Sequence, residues 1–454
     1  MSSTRVLAEF CTQEGIEVDD AALMLTMLDT LGVSLGGQST EVTRVLGDWS
    51  RQHVINGSSL IWGQNGTSDS SRAALLNGTA AHALDFDDAS PSMPMHSSAV
   101  VWPALLAVAD ERGCSLEQLF CAATIGQASF RAIAEALPMR SHYPRGWHST
   151  ATIGRLAAAL AVARLVNMSV EQTQFALGIA ASMAAGSIAN FGTMTKPLHA
   201  GQAAHDAVVA VQLAEAGLTA NQSQLDHPMG FFALLGEASH DRSGLKERLS
   251  YWETAWKTDI SIKRYPSCYG THRAIDAMLT LRDELAQSET IEQVEITVQE
   301  GGLDPLIAHS PRSGLEAKFH LGYTVGLAAT KGSVELTDFS QDWVPSPEAM
   351  VFADLIQIST AGSPPGATES VNESFSQLRV TTTSGRTLEK TVIHTRGDAR
   401  NPISADELKQ KAVSCGMYGG YSKTTMDRFC DAITAITRGS SFSDLQSAIR
   451  MVAQ

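Results

Sequence analysis

Cysteine is scarce and widely scattered: six residues, at 11, 114, 121, 268, 415 and 430, with no C-x-x-C anywhere. That spacing excludes a disulfide framework and carries no zinc or iron–sulfur signature; it fits a reducing compartment. Basic residues are in the minority, 33 Lys+Arg against 48 Asp+Glu, which leaves a net charge of −15. A protein that wraps nucleic acid or lies on an anionic membrane needs a dominant basic surface, so neither partner is expected. An anionic small molecule stays compatible, because it answers to a local field. No long apolar run is present either. The longest uncharged stretch, 172–195, has an apolar part (175–189) too short to span a bilayer and interrupted by Ser and Gly, and reads as a buried core helix. The N-terminus, MSSTRVLAEFCTQEG, has neither an apolar h-region nor an Arg-rich presequence, and the expectation is a cytoplasmic protein. Phosphate-binding G-x-x-x-x-G-K-[ST] and dinucleotide G-x-G-x-x-G are both missing. Phosphoryl transfer and dinucleotide redox lose support accordingly.

The chain has 454 residues, 44% hydrophobic and 18% charged, the composition of a globular protein too long for one compact core. Its first 250 residues read helical. Asp19 and Asp20 open a segment with Leu23, Met27, Leu28 and Leu31 at helical spacing, and capping boxes begin at Ser115, Ser169 and Ser404. Alanine-rich stretches at 157–166 and 203–217 imply helices packed closely on several faces. The strand period appears at 294–298, 377–383 and 390–394, and 362–374 reads as a loop. The pattern is therefore mainly α: a large all-helical domain built from both ends of the chain, 1–255 and 398–454, with an inserted smaller α+β domain at 256–397.

Four segments concentrate reactive groups. HALDFDD (82–88), followed by His96, puts three acids in four residues. Asp85, Asp87 and Asp88 cannot face one point on a helix, so they read as solvated acids of a helix C-terminal turn, or as one acid that orients a basic neighbour; a metal site is disfavoured. RSHYPRGWHST (140–150) holds two Arg, two His and Tyr143 with no acid, and Ser149 or Thr150 is placed to cap the helix that follows. FGTMTKPLHAG (191–201) carries Lys196, the only charge between 172 and 204, on a turn bracketed by Gly192 and Pro197. Such a lysine either snorkels to water or meets an anion. KRYPSCYGTHR (263–273) gathers Lys263, Arg264, Arg273, two tyrosines, Cys268 and His272 without a carboxylate, as a basic loop or an anion site. Together they suit a small polycarboxylate or phosphate.

ALDFDD, GWHSTATIG, FGTMTKPLHAG, KRYPSCYGTH and the late NPIS-ADEL turn resemble the MmgE/PrpD family, in the family's order and over nearly the whole chain. That family includes 2-methylcitrate dehydratase, cis-aconitate decarboxylase and iminodisuccinate epimerase. The resemblance implies a helical domain with an α+β lid, a homodimer, and chemistry with no metal and no organic cofactor. It places Asp85, His96, His148, Lys196 and Lys263 in one cleft, with Tyr143 beside them. Lys196 and Lys263 would clamp substrate carboxylates, with Arg264, His199 and His272 as further substrate contacts. His96 and His148 would form the acid/base pair, Asp85 would orient a basic neighbour, and Tyr143 could move a proton. Two departures weaken the decarboxylase reading: a histidine of that enzyme is replaced by Cys268, and a threonine by Ala89. The loop before His96 is also one residue longer. The expectation is thus a lyase that dehydrates a citrate-like tricarboxylate, with cis-aconitate decarboxylation as an alternative. Epimerisation of a dicarboxylate, using Cys268 as an opposed proton-transfer group, is the second alternative.

Overall fold

A computed structural model describes residues 1–453 except 54, 287, 341 and 368–372, and leaves the side chains of 139 and 140 undescribed. The middle of the loop expected at 362–374 therefore lies outside the described residues. The chain is mainly α and divides into two compact units. The first comprises 1–189, 195–262 and 404–454; the second, 190–194 and 263–403.

The first unit is helical because its sequence supplies the stops and starts. Asp19 caps helix Asp20–Gly37 through the Ala22 N–H. Full capping boxes, each satisfying two backbone donors that the helix leaves unbonded, open helices Leu116–Ala136 (Ser115, Gln118), Val170–Met183 (Ser169, Gln172) and Ala405–Tyr418 (Ser404, Glu407). The buried core helix expected over 175–189 is found only in part: helix Val170–Met183 is buried as far as Ala180, and the chain has left it, no longer buried, by 184–189. No helix among the described residues is long and apolar enough to cross a membrane. Helix Ser149–Leu165 is buried along almost its whole length, as its alanines allow.

Helices Ser70–His82 and Thr195–Glu215 meet at backbone contact. A Cβ on Gly78 would lie 2.9 Å from the Gly201 Cα, and one on Gly201 would land on the Leu75 carbonyl oxygen and the Thr79 hydroxyl. Neither atom belongs to a flexible side-chain end, so Gly201→Ala is expected to cost at least about 2 kcal/mol, read as a lower midpoint in thermal or urea unfolding. The contact matters because His82 ends one helix and Lys196 and His199 begin the other.

The second unit holds a four-stranded sheet in the order Ile356–Ala361, Ile291–Gln299, Ser376–Thr382, Thr387–Val392. The first pair is parallel (Val294 beside Ile356) and the others antiparallel (Ile296 beside Leu378, Leu378 beside Lys390). Val294, Ile296, Val298, Leu378 and Val380 point to one face and pack with Ala274, Met278 and Leu281 of helix Tyr269–Glu284 and Val325 of helix Leu321–Lys331. Alternation made three of these strands readable from sequence. The edge strand Ile356–Ala361 was missed because its residues are largely exposed, with no apolar face for the pattern to reveal.

Candidate functional site

The chain leaves helix Ser70–His82 through a sharp reversal at Asp85, whose φ of +51° is shared, among described non-glycine residues, only in sign by Asn167. Aspartate tolerates the left-handed region better than most residues. The reversal aims the Asp85 carboxylate at Lys196, with Nζ 2.7 Å from Oδ2 and both side chains buried. Lys196 is the second residue of helix Thr195–Glu215, and Pro197 follows within the first turn, where a missing N–H is not needed. The expectation that Lys196 and Pro197 belong to the turn itself is corrected: the helix begins before them. So is the reading of solvated acids, since Asp85, Asp87 and Asp88 are all buried.

The reversal is supported from below. Lys411 of helix Ala405–Tyr418 pairs with Asp29 at 2.6 Å, donates to the Phe86 carbonyl at 2.7 Å, and sits 4.3 Å from the Phe86 ring centroid. Burial pushes the Asp29 carboxyl up, against the opposing pull of Lys411. Asp88 accepts a short hydrogen bond from the Ser98 hydroxyl. Burial, with Asp29 and Asp87 nearby, carries its carboxyl up to about 7 despite that bond.

Asp87 lies between two imidazoles. His82 Nδ1 is 3.0 and 2.9 Å from its two oxygens, and His96 Nδ1 is 3.2 Å from Oδ2 and 2.8 Å from the Asp88 carbonyl oxygen. Burial raises the Asp87 carboxyl, but His82 and His96 outweigh it and hold the group well below the usual carboxylate range. Burial lowers His82 to about 4, with Lys196 and His96 adding to it and Asp87 opposing. The rings of His82 and His96 are 4.5 Å apart, centroid to centroid, and His82 and His148 are 6.2 Å apart. His148 Nδ1 in turn lies 3.1 Å from His199 Nδ1, so one proton serves that contact. Burial first, then Lys196 and His199, hold His148 well below its ordinary value. His199 falls to about 4 through burial, then Arg155 and Lys196. Arg155 is itself fixed by Asp206 at 2.6 Å.

His148 is the residue that precedes helix Ser149–Leu165, and no side chain caps that helix. The expected Ser149 or Thr150 cap is corrected: both are helical, and they are spent on the loop carrying His96. Ser149 donates to the Pro94 carbonyl, and the Thr150 hydroxyl accepts from the His96 N–H at 3.1 Å. Tyr143 is buried in the 3₁₀ turn Tyr143–Arg145. The structure thus gathers Asp85, His96, His148, Lys196 and His199 in the first unit. It adds His82, which was given no role, and Asp87, which was one of three acids considered for orienting a basic neighbour but was not singled out.

In the second unit Lys263 is wholly buried, while Arg264 is exposed. Cys268 is the buried residue before helix Tyr269–Glu284, its N–H donating to the Lys318 carbonyl at 2.9 Å. His272 is buried, with Nε2 3.3 Å from the Ser267 carbonyl oxygen and its ring 5.2 Å from those of Tyr265 and Tyr269. Lys318 was not anticipated: it too is buried, with Nζ donating to the Pro266 carbonyl at 2.9 Å.

Among the described residues, His82, Asp87 and His96 bring donor atoms within 4.8 Å of one another, close enough for a metal ion. Their nearest atoms already make imidazole–carboxylate hydrogen bonds. The chemistry on offer is proton transfer from a buried carboxylate–imidazole group next to a fixed ammonium.

Buried histidines on helix ends, an ammonium held by a carboxylate, and a separate sheet-containing unit define a two-unit, mainly helical protein with a buried cluster of titratable groups. Residues 7–242 match the MmgE/PrpD N-terminal domain and residues 265–426 the MmgE/PrpD C-terminal domain. The chain belongs to the MmgE/PrpD family. Human cis-aconitate decarboxylase is 28% identical over 395 residues, which cover 85% of this chain and 81% of that protein. The mouse cis-aconitate decarboxylase is 27% identical over 399 residues, 85% and 80% of the two chains. That of Aspergillus terreus is 30% identical over 223 residues, 46% and 45%.

Proposed function

We propose that the protein is a cofactor-independent lyase acting on a tricarboxylate of the cis-aconitate type. The observation that carries this reading is the buried His96–Asp87–His82 group, whose His82 feels the charge of Lys196 in the buried Lys196–Asp85 pair: proton-transfer groups near a fixed cation, away from water. When carbon dioxide leaves cis-aconitate, the electron pair of the broken C–C bond stays on carbon and spreads toward a remaining carboxylate. A proton must then be added to carbon. His96 supplies it: a proton taken up at Nε2 gives an imidazolium that Asp87 stabilises, and that imidazolium is the acid. Lys196 binds a carboxylate and stabilises the charge that develops on it. His148, held neutral, orients substrate through its ring nitrogen and does not act as a cation.

The names of the relatives support cis-aconitate as substrate and reverse the order in which the sequence alone ranks the two lyases. Dehydration of an alkylcitrate is the second reading, and Cys268 favours it. A thiol near neutral pH is not the cation that an imidazole can be, whereas loss of water needs only a base at one carbon and an acid at the hydroxyl. We further propose a cytoplasmic homodimer, which gel filtration with light scattering would test.

NMR of the purified protein in D2O with cis-aconitate, citrate, 2-methylcitrate and iminodisuccinate, in the presence of a chelator, decides among these. The expected product is itaconate from cis-aconitate. An unsaturated tricarboxylate from 2-methylcitrate would assign the dehydratase. Deuterium exchange or inversion on iminodisuccinate without elimination would assign an epimerase, and no turnover of any of the four would sink the lyase reading.

A further inference from the structure

We propose that Asp87 and His82 are positioning residues that fix which nitrogen of His96 reacts: Asp87 holds the proton of His96 on Nδ1, and His82 keeps Asp87 ionised. The geometry makes the first part unavoidable for a deprotonated Asp87. His96 Nδ1 faces two oxygens, Asp87 Oδ2 at 3.2 Å and the Asp88 carbonyl at 2.8 Å, and neither can donate. Nδ1 must therefore carry the hydrogen, and the Nε2 lone pair is left to meet substrate. The second part follows from the shared carboxylate. A buried carboxylate with one imidazole partner competes for that partner's proton when the imidazole becomes charged. A second N–H, from His82 at 2.9 Å, lowers the basicity of the carboxylate and leaves the proton on His96.

His82 is spent on this task in a specific way. Its Nδ1–H goes to Asp87, while its Nε2 is buried with no hydrogen-bond partner among the described residues. A lone pair left unsatisfied in the interior is costly, and a ring kept there despite that cost is held for its other nitrogen. The charged and titratable groups around the trio come from several elements. They are Asp29 on helix Asp20–Gly37, Lys196 and His199 on helix Thr195–Glu215, His148 before helix Ser149–Leu165, and Asp88 and Arg131 beyond Asp87.

The kinetic arm of the test rests on the proposed proton chemistry at His96; the spectroscopic arm does not. Asp87→Asn removes the charge and offers an amide N–H to Nδ1. It should lower kcat/KM tenfold to a hundredfold with little change in KM, and move the alkaline limb of the pH profile, where the His96 acid is lost, to lower pH. His82→Leu removes one donor and leaves Asp87 a stronger partner for His96. The alkaline limb should move to higher pH, the opposite direction. His82→Asn keeps an N–H toward Asp87 and loses the Nε2 position, and should restore the limb of the unaltered protein. Shifts of the same sign in Asp87→Asn and His82→Leu, or none, would reduce the trio to a structural role. Nitrogen-15 spectra of the histidine-labelled, unaltered protein, with His96 assigned by its loss in His96→Gln, need neither turnover nor a folded Asp87 variant. His96 with its hydrogen on Nδ1 at neutral pH is the expected result, and hydrogen on Nε2 overturns the proposal. If that tautomer is found while none of the four acids is turned over, the positioning device stands and the lyase reading falls.

Discussion

Lys196→Ala should lower kcat/KM by about 10² to 10³, the loss expected when one fixed donor to a developing oxyanion is removed. It should also destabilise the fold, and the two effects can be separated. The Lys196 and Asp85 side chains are 6% and 5% exposed and 2.7 Å apart, so removing the ammonium strands a buried carboxylate. Breaking one side of a buried pair costs about 3–5 kcal/mol, whereas replacing both charges with neutral groups of similar size can be close to neutral. The double variant Asp85→Asn/Lys196→Met is therefore expected to melt near the unaltered protein and still lack activity. A clamp that matters only for folding would show the reverse, with activity returning along with the melting temperature. Turnover within threefold of the unaltered protein in folded Lys196→Ala would remove the lysine from the reaction.

Acid should unfold the protein well before its carboxylates are exhausted. Burial lowers His82, His142 and His199 to about 4, and holds His148 well below its ordinary value. The sign follows from proton counts. Between the unfolded histidine value near 6.5 and those lowered values, the unfolded chain binds protons that the folded chain refuses, so stability falls as pH falls. Each buried histidine removes up to about 1.4 kcal/mol per pH unit in that window. His199 counts for less, being 8% exposed against 1% for His82 and His148. Asp88 works the other way: its carboxyl, raised to about 7, favours the folded state below that value, so it offsets one histidine. Asp87, held low, loses its contribution only at far lower pH. The balance is a loss on the order of 5 kcal/mol from pH 6.5 to 4.5, a large share of an ordinary domain's stability. Urea unfolding at pH 7.5, 6.5, 5.5 and 4.5 measures it directly. A midpoint that stays constant over that range would mean these imidazoles are not held neutral in the fold.

The helix starts were legible because capping is local. Ser115, Ser169 and Ser404 each carry their partner three residues on, and the boxes form where that spacing places them. Which of the three acids meets an imidazole was not legible, and the reason is geometric. Five residues separate Asp87 from His82, which on a continuous helix would turn the two away from each other. Only the reversal at Asp85 brings the carboxylate back under the ring, and an aspartate permits that backbone conformation without demanding it. The Lys196–Asp85 contact spans 111 residues of sequence, and each partner could be flagged as reactive without being paired. Lys411 gave no sign at all: it is one lysine in a helix that reads as ordinary, and its value comes from Asp29 and Phe86, which only the packed structure supplies.

That strut sets an order for synthesis. The ribosome makes Asp29, the reversal at 84–88 and the histidines in the first half of the chain, but the ammonium that neutralises Asp29 and holds the Phe86 carbonyl arrives only with residue 411. A nascent chain shorter than that lacks both contacts, so the loop at 84–88 is expected to settle only after residue 411 has been made. A chain truncated before Lys411 should therefore be cut by a protease at that loop faster than the full chain, and equal rates would remove the strut from the order of assembly.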